Sequence, residues 1–200
     1  MRICGIDPGL RSTGWGVLRF ENNRMFWVAD GMIQPDPDAD MADRLGHIHS
    51  HLKTILGQYQ PDRVAIEEIF VSRNASSAIK LGMARGAAMV AAADSGLSVH
   101  EISARRIKQN VTGSGRADKQ QVTAMVSRLL NITPSGVDAA DALAVAISLS
   151  HDDVLTNDLD VAVMTTNDAN TLNASSTGKP RNDALSAAIA TALNKEKVSS

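Results

Sequence analysis

Two hundred residues, 44% of them hydrophobic, suffice for one domain of ordinary size with a real core, plus an appendage. The lone cysteine, Cys4, excludes an intrachain disulfide. No stretch approaches the roughly 20 apolar residues of a membrane span, and Asp7 interrupts any signal-peptide-like hydrophobic start, so a soluble cytoplasmic protein is expected.

The net charge of −2 argues against a uniformly basic nucleic-acid binder, but it averages a divided chain. Residues 151–200 hold seven acids against four bases, which leaves 16 bases and 15 acids for residues 1–150. Within 101–130 the balance is +4, from Arg105, Arg106, Lys108, Arg116, Lys119 and Arg128 against Glu101 and Asp118. A basic segment of that kind suits a polyanionic substrate, although solvated helix faces are often basic as well.

In chain order, residues 2–7 read as a buried strand, Ile3-Cys4-Gly5-Ile6 ending on Asp7, with a Gly-rich turn behind it. Residues 13–20 and 24–33 read as two further strands of an antiparallel meander, closed by Pro35-Asp36-Pro37-Asp38. A helical stripe follows over 40–59 (Met41, Leu45, Ile48, Leu52, Ile55, Leu56). Strand 63–67 comes next and ends on Glu67, then an Ala-rich helix over about 75–93 with Gly82 and Gly86 one turn apart. A strand near 97–102, helices near 103–110 and 118–130 and a last core helix over about 138–149 complete the pattern. The basic loop Thr112-Gly113-Ser114-Gly115-Arg116 separates the two shorter helices. Three meandering strands followed by alternating helices and strands predict an α/β fold with a mixed five-stranded sheet and helices on both faces. Residues 151–200 are rich in Asn, Asp, Ser, Thr and Ala and read as a mostly disordered polar tail, with one amphipathic helix possible at about 183–194.

Four acids stand out against this background. Asp7 and Glu67 each end an apolar strand, and Asp138 and Asp141 lie i, i+3 on an otherwise apolar helix, sharing one face. A carboxylate at the end of a buried strand is costly without charge compensation, and a hard divalent cation is the natural compensator. Each acid also has a plain structural reading. Asp7-Pro8-Gly9 is an ordinary turn signal, Glu67 or its neighbour Glu68 can be solvated, and Asp138 can act as a helix N-cap after Pro134-Ser135-Gly136. Taken jointly, the four predict a metal-dependent phosphoryl-transfer site built from three distant segments. His47, His49 and His51 resemble a metal cluster, but only His47 and His51 share a helix face and no third well-spaced ligand is evident, so solvated helix or dimer-surface residues are expected.

The chain resembles the RuvC-type Holliday junction resolvases of the ribonuclease-H-like superfamily. The resemblance rests on Gly5-Ile6-Asp7-Pro8-Gly9 with Thr13-Gly14-Trp15-Gly16, on Ile66-Glu67-Glu68-Ile69-Phe70, and on Lys80-Leu81-Gly82 with Ala84-Arg85-Gly86. Lys108-Gln109 before Thr112-Gly113 and Asp138-Ala139-Ala140-Asp141-Ala142-Leu143-Ala144 complete it, over residues 1 to about 150. It implies a ribonuclease-H-like domain over 1–150 and a homodimeric bacterial endonuclease, nucleoid-associated when acting. The implied reaction cuts four-way junction DNA symmetrically, leaving 5′-phosphate and 3′-hydroxyl ends. It further implies Asp7, Glu67, Asp138 and Asp141 as catalytic metal ligands for two Mg²⁺ ions about 4 Å apart, with Mn²⁺ as a possible substitute. Asp7 is the expected bridge between the ions, and Glu68, beside Glu67, is a departure able to compete for metal. Phe70 is implied to disturb base stacking at the crossover, and Lys108 and Lys119 to contact DNA, with Arg73, Asn74 and Arg116 as further DNA-binding candidates. A branch-migration partner of the RuvA–RuvB type follows from the same resemblance.

Two rivals belong to other classes. Actin-like ATPases and sugar kinases share the strand, the Asp and the Gly-rich turn, Gly9 to Gly14 here, but need a second phosphate hairpin and about twice the length. A non-catalytic junction-binding module would gain from losing negative charge near phosphates, yet all four acids are present.

Overall fold

The computed structural model describes residues 1–22, 24–69 and 75–151. Its five strands are β1 (Arg2–Asp7), β2 (Thr13–Glu21), β3 (Arg24–Ile33), β4 (Arg63–Glu67) and β5 (Val99–Ile102). Four helices, α1 (Met41–Tyr59), α2 (Ala75–Asp94), α3 (Ala104–Thr112) and α4 (Lys119–Leu130), are joined by α5 over residues 137–151. The strands form one mixed sheet of order β3-β2-β1-β4-β5, antiparallel on the β3-β2-β1 side and parallel from β1 through β4 to β5. The α/β expectation and the meander are borne out, with element ends moved by one or two residues. The predicted tail helix at 183–194 lies outside the described residues, as do Phe70, Arg73 and Asn74.

Alternation of side chains along the strands divides the core in two. On one face Cys4, Ile6, Val17, Val64 and Ile66 pack against Ile48, Leu52 and Leu56 of α1 and the alanines Ala84, Ala88, Ala91 and Ala92 of α2. On the other, Ile3, Leu18 and Ala65 meet α5, backed by Ile107 and Val111 of α3 and Val122 and Val126 of α4. Cys4 is fully buried and its thiol is pushed up to about 12 by that burial, which makes it a packing residue rather than a reactive one.

Every residue of α5 from Ala142 to Ser150 is buried, as expected of a helix enclosed on all sides. Glycines set how closely it approaches the sheet. Gly5 and Gly16 are cross-strand partners, and a Cβ on Gly5 would lie 2.0 Å from the Ala142 carbonyl oxygen. A Cβ on Gly14 would lie 1.9 Å from the Asp138 carbonyl oxygen, so the first turn of α5 rests directly on bare backbone. Two tethers hold its ends. The Ser135 amide donates to Asp30 of β3 at 2.7 Å, and Asn110 of α3 donates to the Ser148 hydroxyl at 2.9 Å.

Candidate active site

Asp7 and Glu67 both follow the last β1–β4 pair, Ile6↔Ile66, so two neighbouring parallel strands deliver their terminal acids side by side at the carboxyl edge of the sheet. In open α/β sheets ligands bind at that edge, where strand order reverses. Helix α5, seated on Gly5, Gly14 and Gly16, brings Asp138 and Asp141 to the same place. Asp7, Asp138 and Asp141 each present a carboxylate oxygen, and the three atoms lie within 4.8 Å of one another. Glu67 stands outside this tight group but lines the same cleft of about 380 Å³, together with Asp7, Asp141, Lys108 and Lys119.

The electrostatics follow from this crowding. Burial, and then the charges of Glu67, Asp141 and Asp138, push the Asp7 carboxyl from its ordinary 3.8 up to about 7, with Lys119 opposing. Glu67 is raised by burial and by Asp141, with Lys108 and Lys119 opposing. Lys119 Nζ lies 2.6 Å from Asp141 Oδ2, and this hydrogen bond chiefly raises the lysine's affinity for its proton. Lys119 owes its position to a capping box at the start of α4: Asp118 accepts from the Gln121 amide at 2.9 Å, and Gln121 accepts from the Asp118 amide at 3.0 Å.

Asp138 lies in the first turn of α5, which begins at residue 137, and the Gly136 carbonyl accepts from the Ala140 amide. The N-cap alternative for Asp138 is therefore wrong. Glu68 is exposed, and its amide bonds the Ile102 carbonyl at 2.9 Å, whereas its neighbour Glu67 lines the cleft. Alternation along an extended backbone separates the two side chains. Lys108 lines the cleft, and Arg116 lies exposed on the adjoining α3–α4 loop. The Gly-rich turn is closed on itself: the Thr13 hydroxyl donates to the Gly9 carbonyl at 2.8 Å and accepts from the Gly9 amide at 3.2 Å. That amide is thus engaged within the turn. Among the described residues the histidines form no metal group: His47 and His51 stack at 3.9 Å and His49 meets Asp94 at 3.2 Å. Sequence reasoning gave Arg85 no place at the site, although its Nε donates to the Glu67 carbonyl at 3.2 Å. The available signal was a single arginine inside a run of small residues.

The family model for crossover junction endodeoxyribonuclease RuvC matches residues 3–149. The chain belongs to the RuvC family. It is 50% identical over 151 residues to the crossover junction endodeoxyribonuclease RuvC of Maricaulis maris, covering 76% of this chain and 91% of that protein. A solved structure of T. thermophilus RuvC in complex with Holliday junction substrate matches with a TM-score of 0.70 at 33% identity, over 74% of this chain and 92% of that one. The yeast mitochondrial Holliday junction resolvase Ydc2, at 11% identity and a TM-score of 0.52, shares the fold. The ribonuclease-H-like expectation is thereby borne out for this RuvC-family chain, and the ATPase and kinase alternative falls away.

Proposed function

We propose that this chain is a structure-selective endonuclease that resolves four-way DNA junctions in recombination and repair. It would make paired symmetric nicks by metal-dependent phosphodiester hydrolysis, leaving 5′-phosphate and 3′-hydroxyl ends. The observation that carries this reading is the group of Asp7, Asp138 and Asp141, joined by Glu67 in a cleft open to Lys108 and Lys119, in a chain of the RuvC family. The junction complex of the T. thermophilus relative supports the choice of substrate.

The donor set fits a hard divalent cation. It consists of carboxylates, without thiol or imidazole, and the burial and mutual repulsion that raise Asp7 are what a cation would offset. We assign two Mg²⁺ ions, replaceable by Mn²⁺, held by Asp7, Glu67, Asp138 and Asp141. When bound, such ions supply Lewis acidity at the scissile phosphate and lower the pKa of the attacking water.

The chain's own residues do the rest. Asp141 is paired with Lys119, whose side chain is 58% exposed. Lys119, held beside the acids by Asp141, is the residue that would bind the phosphate and stabilise the charge that builds on it. Lys108 screens Glu67 and offers a second phosphate contact. Arg116 extends the basic surface; on sequence grounds Phe70 is assigned to the crossover, and Arg73 and Asn74 to DNA contact. Selectivity for junctions would come chiefly from shape and deformability of the DNA.

A homodimer suits paired cuts. Ile79, Met83 and Val90 are exposed along α2 at helical spacing, and a Cβ on Gly82 or Gly86 would meet nothing within 4 Å, which supports α2 as the face for a second copy. We further assign the chain to the bacterial cytoplasm, nucleoid-associated when acting, with a RuvA–RuvB-type branch-migration partner. Among the described residues no helix is long and apolar enough to cross a membrane. Residues 1–150 are proposed as the resolvase domain and 151–200 as a dispensable appendage.

The test is incubation with a mobile four-way junction and a matched linear duplex, with Mg²⁺ or with chelator. Mg²⁺-dependent paired nicks confined to the junction are the expected result. Junction binding without cutting would return the chain to a binding module, and equal cutting of both DNAs would remove junction selectivity.

A further inference from the structure

We infer that Arg85 is a positioning residue for the acidic site, tying the ends of β4 and β5 together so that the Glu67 carboxylate is aimed into the cleft. The inference rests on the metal-site reading above and adds to it a residue outside the lining of the acidic cleft. Arg85 is set among small side chains of α2, Ala84, Gly86, Ala87 and Ala88, and its own side chain is only 17% exposed. Its Nε donates to the Glu67 carbonyl at 3.2 Å, and its terminal nitrogen pairs with the Glu101 carboxylate on β5.

Glu67 is where such a tie is needed. On the β5 side it is paired with Ile102, but on the β1 side it lies beyond the last pair, Ile6↔Ile66, and Pro8, after the end of β1, has no amide hydrogen to offer. Like charge on Asp141 meanwhile pushes against the Glu67 carboxylate. A planar guanidinium with partners on two adjacent strands, the Glu67 carbonyl and the half-exposed Glu101 carboxylate, sets the peptide orientation at residue 67, and with it the direction of the side chain. A lysine ammonium, a point donor, cannot span both partners in the same way. Residues that orient metal ligands in this fashion typically change metal affinity or activity by about 10–100-fold when removed.

The experiment is a Mn²⁺ titration of the full chain, read by thermal shift, on wild type, Arg85→Met, Arg85→Lys, Glu101→Gln and the Arg85→Met/Glu101→Gln double variant. Junction affinity is measured in chelator alongside. Arg85→Met should raise the half-saturating Mn²⁺ concentration at least about tenfold, leaving metal-free junction affinity within about twofold. Arg85→Lys should recover part of the loss. The double variant should be no worse than Arg85→Met, because the two residues act as one unit. A folded Arg85→Met with the wild-type midpoint would overturn the inference. If Arg85→Met does not fold, wild-type midpoints in both Arg85→Lys and Glu101→Gln overturn it instead. Wild type that takes up no Mn²⁺ defeats the metal-site reading and this inference together, whereas normal uptake with unshifted variants defeats the inference alone.

Discussion

Asp7 ends β1 with Glu67, Asp141 and Asp138 around it, and the consequence is a proton retained to about pH 7. The folded state holds this proton more tightly than the unfolded chain, whose Asp7 titrates near 3.8. The contribution to stability is therefore fully present below about 3.8 and is lost as pH rises through about 7. Metal-free protein should melt at a lower temperature at pH 8 than at pH 5. Mg²⁺ should raise the melting temperature more at pH 8, where no proton competes for Asp7. An equal Mg²⁺ effect at both values would remove Asp7 from the ligand set. Asp7 and Glu67 were legible as candidates because each ends an apolar strand. Lys119 was legible as a DNA-contacting base through the family resemblance; its ion pair with Asp141 needs α4 and α5 side by side.

At the scale of elements, the contact of α5 with β1 and β2 decides the geometry of the site. Asp138 and Asp141 share a helix face by their i, i+3 spacing, but that face could point anywhere until the helix is seated. Bare backbone at Gly5, Gly14 and Gly16 seats it. Gly5→Ala would drive a methyl group into the Ala142 carbonyl, so helix and strand must separate. A loss of about 3 kcal/mol in urea unfolding is expected, together with loss of the Mg²⁺-induced rise in melting temperature. A variant that keeps both would show that the contact can relax without moving the acids. The strand pattern of period two and the helix pattern of period 3.6 made the elements themselves readable, with ends uncertain by a residue or two because caps and fraying turns carry little periodic signal.

For the whole molecule, the exposed stripe of α2 is an apolar face that the described residues of the single chain leave uncovered. Its Ala-rich composition suggested close packing, and the described residues divide that work: Ala84, Ala88, Ala91 and Ala92 face the chain's own core, while Ile79, Met83 and Val90 face outward. Met83→Glu should yield a folded monomer by light scattering, with a melting temperature near wild type and paired nicks replaced by uncoordinated single ones. A dimer unaffected by this charge would move the interface elsewhere. Deleting residues 151–200 should leave junction cleavage within about threefold of wild type. Loss of cleavage or of the dimer in that truncation would make the segment part of the working enzyme, against the role assigned to it above.

The sequence by itself determined the order and type of the elements, the mixed sheet and the four acids, because periodicity and apolar runs report local backbone form and burial. The family was readable for the same reason: its motifs are short, contiguous and in order. Which residues meet was decided only by the tertiary structure. Asp138 and Asp141 lie more than a hundred residues from Asp7, and they reach it through the closeness of a helix to three glycines, a distance that no local pattern encodes. The separation of Glu67 from the Asp7–Asp138–Asp141 group, the pairing of Lys119 with Asp141 and the tie from Arg85 to Glu67 have the same origin. Each depends on how packed elements lie against one another, and packing is a property of the assembled fold rather than of any one segment.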